Sequence, residues 1–249
     1  MPAHRGKGSF EPQMNTDGHR WLLLNSGKGE AAFNMALDEA LLEAMTRLQM
    51  PVLRFYGWTE PAATFGYFQK FSDVERATLL RPLVRRPTGG GIVPHDMDWT
   101  YSFAVPPKHE WHSLAAIESY RRIHEWIQRA FVKLNIQTEL APNKKSAQGN
   151  PDMPGECFTG HEKFDLLWHG KKIAGAAQRR NKLGLLIQGS VQPPRVSVSR
   201  SDWENAMRDI AAEFFLAEWS DFFPDEPLAK CAAELDRQKY SQTAYNRKR

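Results

Sequence analysis

Residues 83–105 read LVRRPTGGGIVPHDMDWTYSFAV. The run is two strand-like segments, 83–86 and 100–105, on either side of a glycine-rich turn. Thr100, Tyr101, Phe103 and Val105 supply the β-branched and aromatic side chains that suit a pleated surface. Upstream, residues 52–56 and 62–68 repeat that composition across a Trp-Thr-Glu-Pro turn and predict two more strands, with a short helix over 72–80. Further out, 21–25 reads as a buried strand. It leads into a helix over 34–48, in which Leu37, Leu41, Met45 and Leu48 recur at helical spacing. Downstream, Ile117, Tyr120, Ile123, Ile127, Phe131 and Leu134 mark a helix over 114–134, with Ser113 as its cap. Residues 164–168 and 171–179 predict a hairpin across His169-Gly170, a dipeptide suited to a tight primed turn, and 184–191 a further strand. Ser201-Asp202-Trp203-Glu204 has capping-box spacing and opens a helix towards Trp219; a last helix is expected over 226–239. Strands and helices mix without βαβ alternation, and no repeat is visible. The class is α+β, with a mixed, mostly antiparallel sheet flanked by helices.

The chain has 249 residues, 41% of them hydrophobic and 25% charged, a balance that supports a packed core and excludes disorder. Residues 1–18, rich in Gly, Pro and polar side chains, are expected to form a flexible tail ahead of a single domain over 19–249. No apolar run approaches the roughly 18 residues that cross a bilayer, and residues 8–18 are too polar for a signal-peptide core. Two cysteines cannot make a disulfide framework, so a cytoplasmic setting is expected. The 33 Lys and Arg against 29 Asp and Glu are scattered in pairs, not gathered in the dense stripe of a nucleic-acid binder. No His and Cys stand at zinc-binding spacing, so no metal site is expected.

Four stretches could carry chemistry. Gly27-Lys28-Gly29 with Ala32 fits the loosest dinucleotide fingerprint, but the strand after it lacks the acid that holds a ribose, and an ordinary glycine turn is the better reading. Residues 141–160, rich in Pro, Gly, Asn and Lys, are long enough for a binding loop. At Gly89-Gly90-Gly91, no side chain stands between backbone and ligand, so amides can approach a phosphate or wall a narrow tunnel; Arg86 adds charge at the edge. In 170–179, GKKIAGAAQR, the small residues Ala174, Gly175, Ala176 and Ala177 leave space in a strand that an acyl chain could fill, with Lys172 at its entrance. Taken alone, the glycines read as a flexible turn and the lysine as a solvated one.

Together, Arg-Arg-x-Thr-Gly-Gly-Gly-x-Val-x-His-Asp and Gly-x-Lys-Ile-x-Gly-x-Ala-Gln resemble the lipoate-protein ligase and octanoyltransferase family. NMALDEALL (34–42), LRFYGWTEPAATFGYFQ (53–69) and TYSF (100–103) resemble further blocks of it, in the same order, over residues 21–191. The resemblance implies the fold shared with biotin ligases and an acyl group held in a tunnel. It also implies a substrate site built from Gly66, Arg86, Thr88, Gly89, Gly90, Gly91, His95, Gly175 and Ala177, with Lys172 catalytic.

Ligases of this family take a free acid with ATP and Mg2+; transferases take a thioester from acyl carrier protein and need no cofactor. One transferase branch uses a cysteine upstream of the lysine hairpin. Cys157-Phe158 resembles its Cys-Phe, and Thr100-Tyr101-Ser102 and Ala177-Gln178-Arg179-Arg180 also resemble that branch, whereas Gly91 and Pro94 depart from it. Cys231, on an apparent helix face with Leu228 and Leu235, reads as packing. The expected activity is transfer of an octanoyl or lipoyl group from acyl carrier protein, through a Cys157 thioester, to the lysine of a lipoyl domain or glycine cleavage H protein. The alternatives are an ATP-dependent lipoate-protein ligase and an inactive carrier-binding protein.

Overall fold

The computed structural model describes residues 19–142, 161–193 and 198–249; the expected tail and most of the 141–160 loop lie outside them. The chain enters on β1 (Arg20–Gly29), followed by α1 (Ala31–Leu48), β2 (Val52–Trp58), β3 (Ala62–Phe65), α2 (Phe71–Ala77), β4 (Leu83–Arg85), β5 (Val93–His95) and β6 (Trp99–Val105). Next come α3 (Glu110–Ser113), α4 (Ala116–Lys133), β7 (Glu139–Leu140), β8 (Leu166–Trp168), β9 (Lys171–Asn181) and β10 (Gly184–Val191). The rest is α5 (Arg200–Phe215), β11 (Glu218–Asp221), α6 (Glu226–Leu235), a π turn at Asp236–Tyr240 and α7 (Thr243–Asn246).

Eight strands form the main sheet in the order β11-β1-β2-β6-β10-β9-β8-β7, and β4-β3-β5 form a second. Only β11–β1, β1–β2 and β3–β4 run parallel among these pairs, so the architecture is the mostly antiparallel α+β one expected. Helices cover both faces of the main sheet. Trp21 and Leu23 of β1 pack towards α4 and α5, with Trp126 and Trp203. Leu22 and Leu24 pack towards α1 and α6, with Leu41 and Leu228. Two buried faces explain why β1 reads as an unbroken apolar run without alternation. No helix among the described residues is long and apolar enough to cross a membrane.

Local chemistry sets most element ends. His169 and Gly170 both take left-handed φ, 49° and 71°, as a two-residue primed turn requires, and join β8 to β9. Gly27, at φ 67°, sits at a bulge where the β1–β2 register shifts between Asn25 and Lys28. It is a strand irregularity, not a phosphate loop.

The structure corrects several boundaries. Ser113 does not cap the long helix: it ends α3, its hydroxyl donating to the Glu110 carbonyl at 2.8 Å, and α4 starts after Ala115 with no side-chain cap. With that start, Ile117 is left 54% exposed, and the buried face is Ser119, Ile123, His124, Trp126, Ile127, Ala130 and Phe131. The cap of α5 is Ser199, paired reciprocally with Asp202; Ser201 already lies inside the helix. That helix stops because Leu216 turns left-handed at φ 55°, which places Trp219 in β11. The last helix gives way to the π turn after Leu235.

Glu39 ties that turn to the sheet. Its carboxylate accepts from Tyr240 Oη at 2.7 Å, from Arg179 Nη1 at 2.7 Å and from Lys239 Nζ. Burial pushes the Glu39 carboxyl up, but the Lys239 contact, with Tyr240 and Arg179, holds it net below its ordinary value. A carboxyl lowered on folding contributes stability that is complete above its unfolded value and is lost as pH falls through the folded one. Glu39→Gln should therefore cost about 2 kcal/mol in urea unfolding at pH 7. The gap to wild type should close as pH falls below about 4.3; a gap unchanged at pH 3.5 to 4 would sink the assignment.

Candidate active site

Strands from both sheets and α1 surround a narrow, partly open cavity of about 40 Å3. Gly175, Ala176 and Ala177 of β9 form one wall, and Met35, Thr64 and Val93 face it. Of the residues picked out from sequence, Arg86, His95, Lys172, Gly175 and Ala177 line this space. Gly66, Thr88, Gly89, Gly90 and Gly91, expected at the substrate site, are not among its lining residues.

Arg86 organises the glycine turn. Its Nη2 donates to the Gly89 carbonyl at 2.6 Å and the Gly91 carbonyl at 2.9 Å, and its Nη1 to Thr64 Oγ1 at 3.2 Å. The guanidinium is therefore a template for the loop as well as a charge at the cavity. Gly90 needs its freedom, with φ at 86°. Gly66 needs its bareness, because a β-carbon there would lie 1.9 Å from the Gly90 carbonyl oxygen. Gly89 has open space at that position. Gly66→Ala should thus lower unfolding stability by about 1–3 kcal/mol, while Gly89→Ala should change it by less than about 0.5 kcal/mol. Equal urea midpoints for the two variants would contradict this packing.

Two buried carboxylates hold the polar side of the cavity. Asp98 Oδ2 accepts from His95 Nδ1 at 2.8 Å, Thr100 Oγ1 at 3.0 Å and Ser190 Oγ at 2.7 Å. His95 stacks on Trp58 with ring centroids 3.8 Å apart. Thr64 Oγ1, which accepts from Arg86, also lies within hydrogen-bond distance of His95 Nε2, at 2.8 Å. Asp38 lies one layer deeper, bound by Arg54 at 2.7 Å, Ser102 at 2.6 Å, Tyr56 at 3.0 Å and Gln188 at 2.7 Å. Gln188 in turn accepts from Thr88 at 2.7 Å. Sequence reasoning missed both acids. The available signal for Asp38 was a carboxylate between Leu37 and Leu41 on an apolar helix face.

Lys172 reaches forward along β9, over Gly175. Its Nζ is 2.8 Å from Asp165 Oδ2, with both side chains buried. A β-carbon on Gly175 would stand 2.7 Å from Lys172 Cε and 2.9 Å from Nζ, so that glycine makes room for the ammonium. Asp165 Oδ2 also accepts the Glu162 N–H at 2.7 Å, and Oδ1 accepts the Tyr120 hydroxyl. Asp165 and Tyr120 are further residues the sequence reading missed. An ammonium fixed on the wall of a small-residue cavity can hold a carbonyl oxygen or a negative charge that develops beside it. Cys157 lies outside the described residues. Cys231 packs half-buried on α6, with Sγ 3.4 Å from Glu43 Oε2. Burial, followed by the contact with Glu43, pushes its thiol up to about 11, which suits packing rather than nucleophilic chemistry.

Octanoyltransferase LipM from Kyrpidia tusciae is 38% identical over 178 residues, covering 69% of this chain and 65% of the relative. The chain thus spans about 65% of the length of that relative. Among solved structures, lipoate-protein ligase A bound with ATP superposes with a TM-score of 0.73 at 21% identity, covering 92% of this chain and 98% of that one. A bipartite lipoate protein ligase from Thermoplasma acidophilum, described with its E2 lipoyl domain, gives 0.71 at 21%, covering 92% and 96%. At those identities the structures establish the shared fold. The family model "Lipoyl protein ligase A/B catalytic domain" matches residues 30–192, the span that holds the cavity, the glycine turn and the Lys172 hairpin, and the chain belongs to that family.

Proposed function

We propose that this chain moves an octanoyl (or lipoyl) group from acyl carrier protein, through a thioester on Cys157, to the lysine of a lipoyl domain or glycine cleavage H protein. Residues 19–249 act in this reading as one catalytic domain in the cytoplasm. The observation that carries it is the buried Lys172 ammonium on a wall of Gly175, Ala176 and Ala177, in a chain 38% identical to an octanoyltransferase. Small residues make room for the acyl chain, and the ammonium meets the thioester oxygen. Arg86, His95 and Ala177 shape the substrate end of the cavity, while Gly66, Thr88, Gly89, Gly90 and Gly91 hold the loop that closes it.

The chemistry needs no cofactor. The Cys157 thiolate attacks the carrier thioester, forming one C–S bond while another breaks, at nearly equal energy. The acceptor lysine then displaces Cys157 and leaves an amide, which is more stable than the thioester. Lys172 holds the carbonyl oxygen as negative charge develops in both steps. The third glycine, Gly91, favours the second reading, a ligase that activates free lipoate with ATP and Mg2+. Parallel assays with octanoyl-carrier protein alone and with free lipoate plus ATP separate the two. Transfer to a lipoyl domain without ATP is expected; modification only with lipoate and ATP would make the chain a ligase.

A further inference from the structure

We infer that Asp165 is a positioning residue that keeps Lys172 a hydrogen-bond donor to the acyl group and prevents it from becoming that group's acceptor. This rests on the transferase reading above. A lysine beside a bound thioester has the same chemistry as the acceptor lysine of the partner. Were Lys172 neutral, its nitrogen lone pair would attack the acyl carbonyl. The N–C bond would form, the C–S bond would break, the thiolate would leave with the nitrogen's proton, and the enzyme would end as a dead amide. Proximity inside one cavity favours that side reaction strongly.

The surroundings of Lys172 oppose it. The Asp165 carboxylate is fully buried and accepts from Nζ at 2.8 Å, a charge-assisted bond that directs Nζ as a donor. The carboxylate cannot turn away: Tyr120 anchors Oδ1, and the Glu162 N–H, at 2.7 Å, anchors Oδ2. Gly175 leaves the ammonium its place over β9. His124, whose ring lies 4.3 Å from that of Tyr120, brings no competing cation, because burial pushes its imidazole down to about 4. Lys171, the preceding residue, is exposed and serves as an internal standard.

The probe is S-octanoyl-N-acetylcysteamine, followed by hydroxylamine, which removes thioesters and spares amides, and by peptide mapping. In the wild type Lys171 should acquire amide several-fold faster than Lys172. In Asp165→Asn the Lys172 amide should form several-fold faster than in wild type. Its kcat for transfer should fall with KM for the lipoyl domain unchanged, and Asp165→Glu should restore both. Asp165→Ser, which can still accept from Tyr120, replaces the asparagine variant if that one does not fold. The role is overturned if wild-type Lys172 is acylated as fast as Lys171, a comparison that needs no variant. It is equally overturned if either folded variant transfers normally with no Lys172 amide. A wild type that neither takes octanoyl from the probe nor passes it to a lipoyl domain would instead remove the transferase reading itself.

Discussion

Cys157→Ala is expected to lower octanoyl transfer from acyl carrier protein by about 10^4-fold or more, the scale of losing a nucleophile. The residue stands fifteen positions before Lys172, in a stretch rich in Pro and Gly. An ordinary thiol is only a few per cent ionised at pH 7, and a neighbouring ammonium is the kind of group that increases that fraction. Intact-protein mass spectrometry of the wild type should show one hydroxylamine-sensitive octanoyl adduct. It should vanish in Cys157→Ala and persist in Cys231→Ala, since the Cys231 thiol is held up at about 11 beside Glu43. If Cys157→Ala still modified the acceptor from free lipoate and ATP, the ligase reading would replace this one and Cys157 would have no catalytic part.

Lys172→Ala should reduce turnover by about 10^2- to 10^3-fold, the usual effect of removing a donor to a developing oxyanion. The protein should remain folded. Asp165 would lose its cation but keep the Tyr120 hydroxyl and the Glu162 N–H, so the expected stability loss is about 1–3 kcal/mol, and not that of a wholly unpaired buried charge. Circular dichroism separates the two effects from the transfer kinetics. Near-normal turnover with both octanoyl-carrier protein and lipoate plus ATP would show that Lys172 is a structural lysine.

Features that neighbouring residues settle between them were legible along the chain. The span 184–191 is β10 without change, because every one of its residues is buried in a strand between two others. The His169-Gly170 turn followed from two residues able to take positive φ. The crowding of Gly175 by Lys172 was foreshadowed by a lysine three positions ahead of a glycine in a strand of small residues. The short β5 was not legible, since Pro94 breaks the pattern by which strands are recognised. Ser201 matches the cap motif by its spacing to Glu204, but the Ser199–Asp202 pair forms the cap because those two side chains satisfy each other's backbone N–H groups.

Which charges are buried, and which partners hold them, depends on how the two sheets and the helices assemble. Asp165 meets Tyr120 across 45 positions of sequence, Gln188 meets Asp38 across 150, and Ser190 meets Asp98 across 92. Periodicity reports whether a residue faces a core, but a buried carboxylate survives there only if other strands bring it donors. That pairing belongs to sheet order and register, which the local sequence around Asp38, Asp98 or Asp165 does not contain.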